Sequence, residues 1–342
     1  MTQNQRKPGL LNFKQLQEKA HGDYFRTNFP NECGYKGSDH RLKPDHFALN
    51  LNPAIRDKAM RYFEDNDIAW RLHKNHGRSS QVCCLNFLMP LVEEPQLLSQ
   101  FVANALGIAS PEILPVSDNK EGLRSNWLVE FEWVGQDNYL NESRSSKPPR
   151  RGAIVTSEDA ILRCRSARKA ELLLIAWKYT EDDNGPIDKK RNHVRFVRYK
   201  DILFAEDGPF GRDIGLTVQD FFFHPFHQLA RQMMLAKRME KDPKHRVDRV
   251  RVLHLSPYGN TALHPVSSPS IAALGHTDSF DAISSVLDPP ADGVPRFTSR
   301  TIEEVFAPIL ANPGTTGAAG ADYLLGRYTF LNQAAVTLGG QP

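Results

Sequence analysis

Cysteine is scarce in this chain: four in 342 residues, at Cys33, Cys83, Cys84 and Cys164. None belongs to a CxxC pair, so neither a disulfide framework nor a cysteine zinc site is expected. The four read as small buried thiols. An HExxH zinc helix is absent as well. No run of about 18 uncharged apolar residues occurs, so no membrane-spanning helix is expected. The opening MTQNQRKPGLLNFKQ lacks an apolar signal core. Together these absences point to a cytoplasmic protein with no membrane partner. Charge excess is missing too: 43 Lys and Arg against 40 Asp and Glu give +3. That balance is too mild to diagnose nucleic-acid binding. No internal repeat is visible. What is present is an ordinary globular composition, 40% apolar and 24% charged, on a chain long enough to bury a sizeable core.

Residues 1–50 read as a polar, irregular arm packed on the body. Asn52-Pro53 reads as a helix start, with the helix running from Ala54 to Phe63. A second helix starts at Ser79 or Ser80 and is limited by Pro90. A third spans Pro95 to Leu106 and stops at Gly107. Then the period changes. In Trp127 to Trp133 the apolar Trp127, Val129, Phe131 and Trp133 alternate with Leu128, Glu130 and Glu132, which predicts a strand. Two more strands are expected over Ala153 to Leu162 and Leu172 to Lys178. The second is almost continuously apolar, as in a strand covered on both faces. Helical patterning returns at Pro225, with Phe226, Leu229, Met233 and Ala236 as one stripe. Arg251 to Leu255 reads as another strand, closed by a turn over Pro257 to Asn260. The tail is rich in Ser, Pro, Gly and Ala, and its one clear helix begins with the capping box of Thr301 and Glu304. The expected division is an N-terminal arm and helix (1–70), a core (71–261) and a C-terminal accessory extension (262–342).

Residues i and i+2 of a strand point to one face. An acid on one strand, beside acid-x-Lys on its neighbour, can therefore hold a divalent cation and a lysine against a phosphodiester. The sequence offers Asp159 on the first strand and Ala176-x-Lys178 on the next. The carboxylate this arrangement wants at 176 is absent.

The ordered set Ser79-Ser-Gln81, Glu130-Phe-Glu-Trp133, Thr156-Ser-Glu-Asp159-Ala and Leu173-Leu-Ile-Ala-Trp-Lys178-Tyr-Thr-Glu181 resembles the PD-(D/E)XK nuclease superfamily. More narrowly it is similar to bacterial restriction-endonuclease-like proteins, whose last motif reads Leu-Ile-Glu-x-Lys-Tyr-Thr-Glu. The likeness spans residues 70–260 and extends to the Arg231-Gln232 helix. It implies an α/β fold: a restriction-endonuclease-like mixed sheet flanked by helices, with an N-terminal helical region and a C-terminal extension. It also implies a Mg2+-dependent (or Mn2+-dependent) DNA endonuclease of restriction or phage-defence type. Asp159 and Glu132 would be metal ligands, and Lys178 would orient water or stabilise charge. Gln81 and Glu181 would be supporting residues, and Ala176 stands in the slot of a glutamate.

Three readings of that alanine stay open. It is a deliberate inactivating replacement, the mark of a natural non-cleaving relative, or a loss covered by another acid such as Glu130, Glu132 or Glu181. The first two make the chain inactive or very slow. The rival functions are a pseudo-nuclease that binds nucleic acid or a defence-system partner protein, and an RNA-cleaving toxin. DNA contact is expected from Arg150, Arg151, Arg163, Arg165, Lys169 and Arg231, and a homodimer by analogy. His224 and His227 flank Pro225 at a helix start and read as structural.

Overall fold

Asn12 and Gln15 cap one another's backbone reciprocally, and that capping box starts α1 (Phe13–Asn28) where the sequence suggested an irregular arm. The structure is a computed structural model describing residues 11–116, 127–134, 137–142 and 155–332. α2 (Arg56–Asp65) begins two residues later than expected, because Asn52 closes a turn onto the Ala54 N–H before the helix starts. α3 (Ser80–Leu88) takes Ser79 as its N-cap, and α4 (Pro95–Leu106) ends on Gly107 at φ 64°, as the sequence predicts.

One six-stranded mixed sheet organises the rest. β1 (Glu112–Leu114) and β2 (Val129–Trp133) both lie antiparallel to β3 (Glu158–Ser166), one at each of its ends. β3 pairs antiparallel with β4 (Lys169–Trp177). A short ribbon joins β5 (Gly185–Pro186) and β6 (Phe223–His224). α5 (Asn192–Leu203) and α6 (Phe226–Lys241) then cross over, so that β7 (Arg249–Ser256) returns parallel to β4. α7 (Pro269–Ala272) and α8 (Ser279–Val286) precede β8 (Phe297–Thr301), which lies parallel to β7. α9 (Ile302–Ala311) and α10 (Gly314–Arg327) follow.

Each face of the sheet is covered by its own helices. Ala160, Leu162, Ile175, Trp177 and Leu253 pack with α3, α4 and α9. Ile161, Leu172, Leu174 and Val252 pack with α5, α6 and α8. Such double coverage explains why β4 reads as an unbroken apolar run. The 262–342 segment does more than the expected accessory layer: β8 extends the sheet, and Ile302, Val305 and Phe306 enter the core against Trp177 and Phe87. The N-terminal arm is likewise part of the body. α1 meets α10 through Arg327, which is fully buried and bonds His21 Nδ1 and Asn50 Oδ1, each at 2.6 Å. No described helix is long and apolar enough to cross a membrane.

Candidate functional site

Glu132 has a backbone φ of 46°, a left-handed conformation that is uncommon for a residue with a side chain. It lies one residue inside the end of β2. Phe131 pairs with Ala160 and Trp133 with Glu158, but no pair joins Glu132 and Asp159. At this gap both strands exchange faces. Phe131 and Ala160 belong to the α3 and α4 layer, whereas Trp133 packs in the α5 and α6 layer. Glu158 accepts a 2.8 Å bond from Gln232 of α6. The even alternation predicted over Trp127 to Trp133 therefore breaks at Glu132. Strain of about 1–3 kcal/mol at such a residue persists where the surroundings hold it in place.

Here the surroundings are two long side chains, Gln81 and Arg71, with Asp159 beside them. Gln81, buried on α3, accepts from the Arg71 N–H at 3.0 Å and donates to Glu132 Oε1 at 3.0 Å. The Arg71 guanidinium lies 2.9 Å from Asp159 Oδ1 and 3.2 Å from Glu132 Oε1. Asp159 Oδ2 accepts the Trp177 N–H at 2.8 Å, one step beyond the last β3–β4 pair, Ala160 with Ile175. Burial pushes Glu132 above the usual carboxylate range, with Arg71 pulling it back. The surroundings disfavour charge on Arg71, but Asp159 and Glu132 outweigh them and hold it above its ordinary value. Arg71 was not anticipated. Its signal in the sequence is faint, one of three Lys and Arg residues, with Lys74 and Arg78, in the segment between α2 and α3.

Ala176 is fully buried on β4, in register with His254 of β7. Ile175 and Trp177 face the α3 layer, as expected. Lys178 leaves the strand toward α6, where Nζ donates to Gln228 Oε1 at 2.6 Å. One turn along α6, Gln232 holds Glu158. Glu158 is fully buried, and its Oε1 has no hydrogen-bond partner among the described residues. Burial first, then the neighbouring Asp159, pushes this acid up to about 8; Lys178 acts on it in the opposite sense. Sequence reasoning missed Glu158, because strict alternation turns it away from Lys178. Glu181 is bonded to Ser80 Oγ and to the Tyr179 N–H, which joins the Lys178 segment to the start of α3. The structure thus gathers Gln81, Glu132 and Asp159 about Arg71, and sets Lys178 with Glu158 on the α6 side. Glu130 is buried on β2.

The expected Mg2+ fits poorly here. Among the described residues no group of three His, Cys, Asp or Glu could hold a metal ion. The two available carboxylates already share a guanidinium, and position 176 supplies none.

Several basic candidates also move. The β3–β4 turn, with Arg165 and Lys169, is at the far end of the hairpin from Asp159. Seven residues separate Asp159 from Ser166, roughly 23 Å of strand. There Arg165 pairs with Glu112 at 2.6 Å and Lys169 with Asp248 at 2.9 Å. Arg163 is buried and donates to the Arg246 carbonyl. Arg231 is held at 2.9 Å by Glu142, itself bonded by Tyr199 and Thr156. Arg165 and Lys169 thus lie far from Asp159, whereas Arg231 also acts on Glu158, the neighbour of Asp159. Arg150 and Arg151 lie outside the described residues. Nearer the site, Lys189, Lys190 and Arg191 are exposed ahead of α5, and Lys178 and Arg195 both act on His224. His227 is packed beside Tyr199 and Phe222, and burial lowers it to about 3.

Compared with known proteins, residues 13–329 match the family model REase-ARP, described as Restriction Endonuclease associating with ARP. No curated protein and no solved structure matches the chain.

Proposed function

The chain belongs to the family of restriction endonucleases associating with ARP, and we propose that its site is that of a Mg2+-dependent DNA endonuclease of the PD-(D/E)XK kind, left inactive or very slow by alanine at 176. The observation that carries the reading is local. Asp159, at the start of β3, and Lys178, just past the end of β4, lie at the same end of adjacent strands, and Ala176, two residues before Lys178, is fully buried. Family membership supports a nuclease-like role. The strained Glu132 and the Gln81 bridge add the preorganisation that a reactive site needs. An acid at 176 would give a cation a further carboxylate on the Lys178 side, where phosphate charge has to be offset. Lys178 would then orient water or stabilise charge, while Glu181 fixes its segment against α3. In the chain as it stands, no hydrolytic step runs through a metal ion.

DNA is the proposed substrate. Arg71 meets Asp159, Arg195 shares His224 with Lys178, and Lys189, Lys190 and Arg191 are exposed ahead of α5; Arg150 and Arg151 precede β3 in the chain. Phosphate contacts of this kind give salt-sensitive, mostly sequence-independent binding. The ion pairs of Asp159 and Glu132 with Arg71 favour a second reading: a pseudo-nuclease that binds nucleic acid without cutting it. Homodimerisation and docking of a defence partner are part of the same proposal. Nuclease assays on supercoiled, linear and single-stranded DNA and on RNA, with Mg2+, separate these. Ala176→Glu cutting DNA while the parent does not supports the endonuclease. No cutting by either, with DNA still bound, supports the pseudo-nuclease. Degradation of RNA alone would turn the substrate to RNA.

A further inference from the structure

The poor fit of a divalent cation has a specific cause. Two carboxylates from adjacent strands, Asp159 on β3 and Glu132 on β2, converge on one Arg71 nitrogen at 2.9 and 3.2 Å. A cation bridging the two strands would need those same oxygens. The arginine is not there by chance of a wandering surface side chain. Its own backbone N–H is fixed at 3.0 Å by Gln81, and that same amide holds Glu132. The loop, the helix and both strands are thereby locked together around a positive charge. Asp159 is committed on its other side to the Trp177 N–H, so each of its oxygens already carries a partner while Arg71 is in place. The Arg71 side chain is nonetheless half-exposed, 47% against 8% for the Asp159 side chain.

We propose that Arg71 decides which cation the Asp159 and Glu132 carboxylates hold, acting as a built-in counter-ion that competes with a divalent metal. The idea rests on reading Asp159 as a carboxylate of the nuclease site, but its test reads ion binding rather than cleavage. An alanine at 176 removes one ligand; Arg71 competes for the other two, and a glutamate at 176 would tip that competition toward the metal. The two effects are separable because they sit on different elements.

The probe is Mn2+ alone, followed by electron paramagnetic resonance of free and bound ion in the full-length chain. Arg71→Met keeps the apolar stem and removes the charge, and Arg71→Lys keeps a charge without the planar fork. Arg71→Met should bind one Mn2+ at least about tenfold tighter than the parent, since two close ion pairs no longer compete. Arg71→Lys should stay near the parent. Adding Asp159→Asn to Arg71→Met should abolish the gain. Equal Mn2+ affinity for the parent and a folded Arg71→Met protein overturns the proposal, as does a gain that survives Asp159→Asn. Should Arg71→Met fail to fold, Arg71→Gln, which can still bond Glu132, serves in its place under the same criteria. Cleavage by Ala176→Glu with no gain in Arg71→Met would leave the nuclease reading standing and sink this one; the reverse result would do the opposite.

Discussion

Glu158 and Asp159 are neighbours in sequence and opposites in setting. Asp159 is satisfied by Arg71 and the Trp177 amide, whereas Glu158 is sealed beneath α6 with one oxygen unpartnered among the described residues. Its folded-state proton is held to about 8, against an ordinary 4.5. The folded protein therefore binds this proton more tightly than the unfolded chain does. The linked stability is complete below pH 4.5 and drains away as pH rises toward about 8. Thermal melts of the parent should fall across that window, and Glu158→Gln should flatten the fall. Parallel pH profiles for the two proteins would contradict the assignment. Sequence reasoning found Asp159, Lys178, Gln81 and Glu132 because each sits in a spaced motif. It missed Arg71 and Glu158 because a loop cation and a residue beyond a strand's change of face leave no periodic trace.

At the scale of elements, the alternation rule worked wherever the ladder was regular. β4 and β7 fell where their apolar runs put them, and α3, α4 and α9 began at their caps. It failed at the Glu132 and Asp159 gap, where a positive φ turns both strands over. The β3–β4 hairpin carries a related feature. Ser166 pairs with Lys169, so Ala167 and Arg168 form a two-residue turn, with φ of 47° and 65°. Left-handed conformations at both positions suit Asn-Gly far better than Ala-Arg. Replacing Ala167-Arg168 by Asn-Gly should stabilise the protein by about 0.5–1 kcal/mol in urea unfolding. Because this turn is far from Asp159, the exchange should leave DNA binding unchanged; weakened binding would return the turn to the DNA-facing surface that the sequence first suggested.

At the scale of the whole molecule, the termini were the least legible part. Small residues and prolines made the tail look peripheral, yet β8 lies between the body and solvent along β7, and α9 and α10 complete the core. The burial is tertiary: Arg327 of α10 reaches His21 of α1 and Asn50, while His21 lies 2.6 Å from Tyr179, immediately after Lys178. The ends of the chain thus support the segment that carries the lysine. Removal of residues 297–342 should abolish cooperative thermal unfolding, read by circular dichroism. A truncated protein that melts sharply would show the tail to be dispensable after all.

All three scales meet at position 176, a small buried residue where a cation-holding site calls for an acid. The most direct measurement is the single-turnover rate of supercoiled DNA cleavage with Mg2+ by the parent, by Ala176→Glu, and by Ala176→Glu combined with Lys178→Met. The account predicts cleavage by Ala176→Glu alone, with both other proteins folded and silent. Robust cleavage by the parent, or by the variant lacking Lys178, would contradict it.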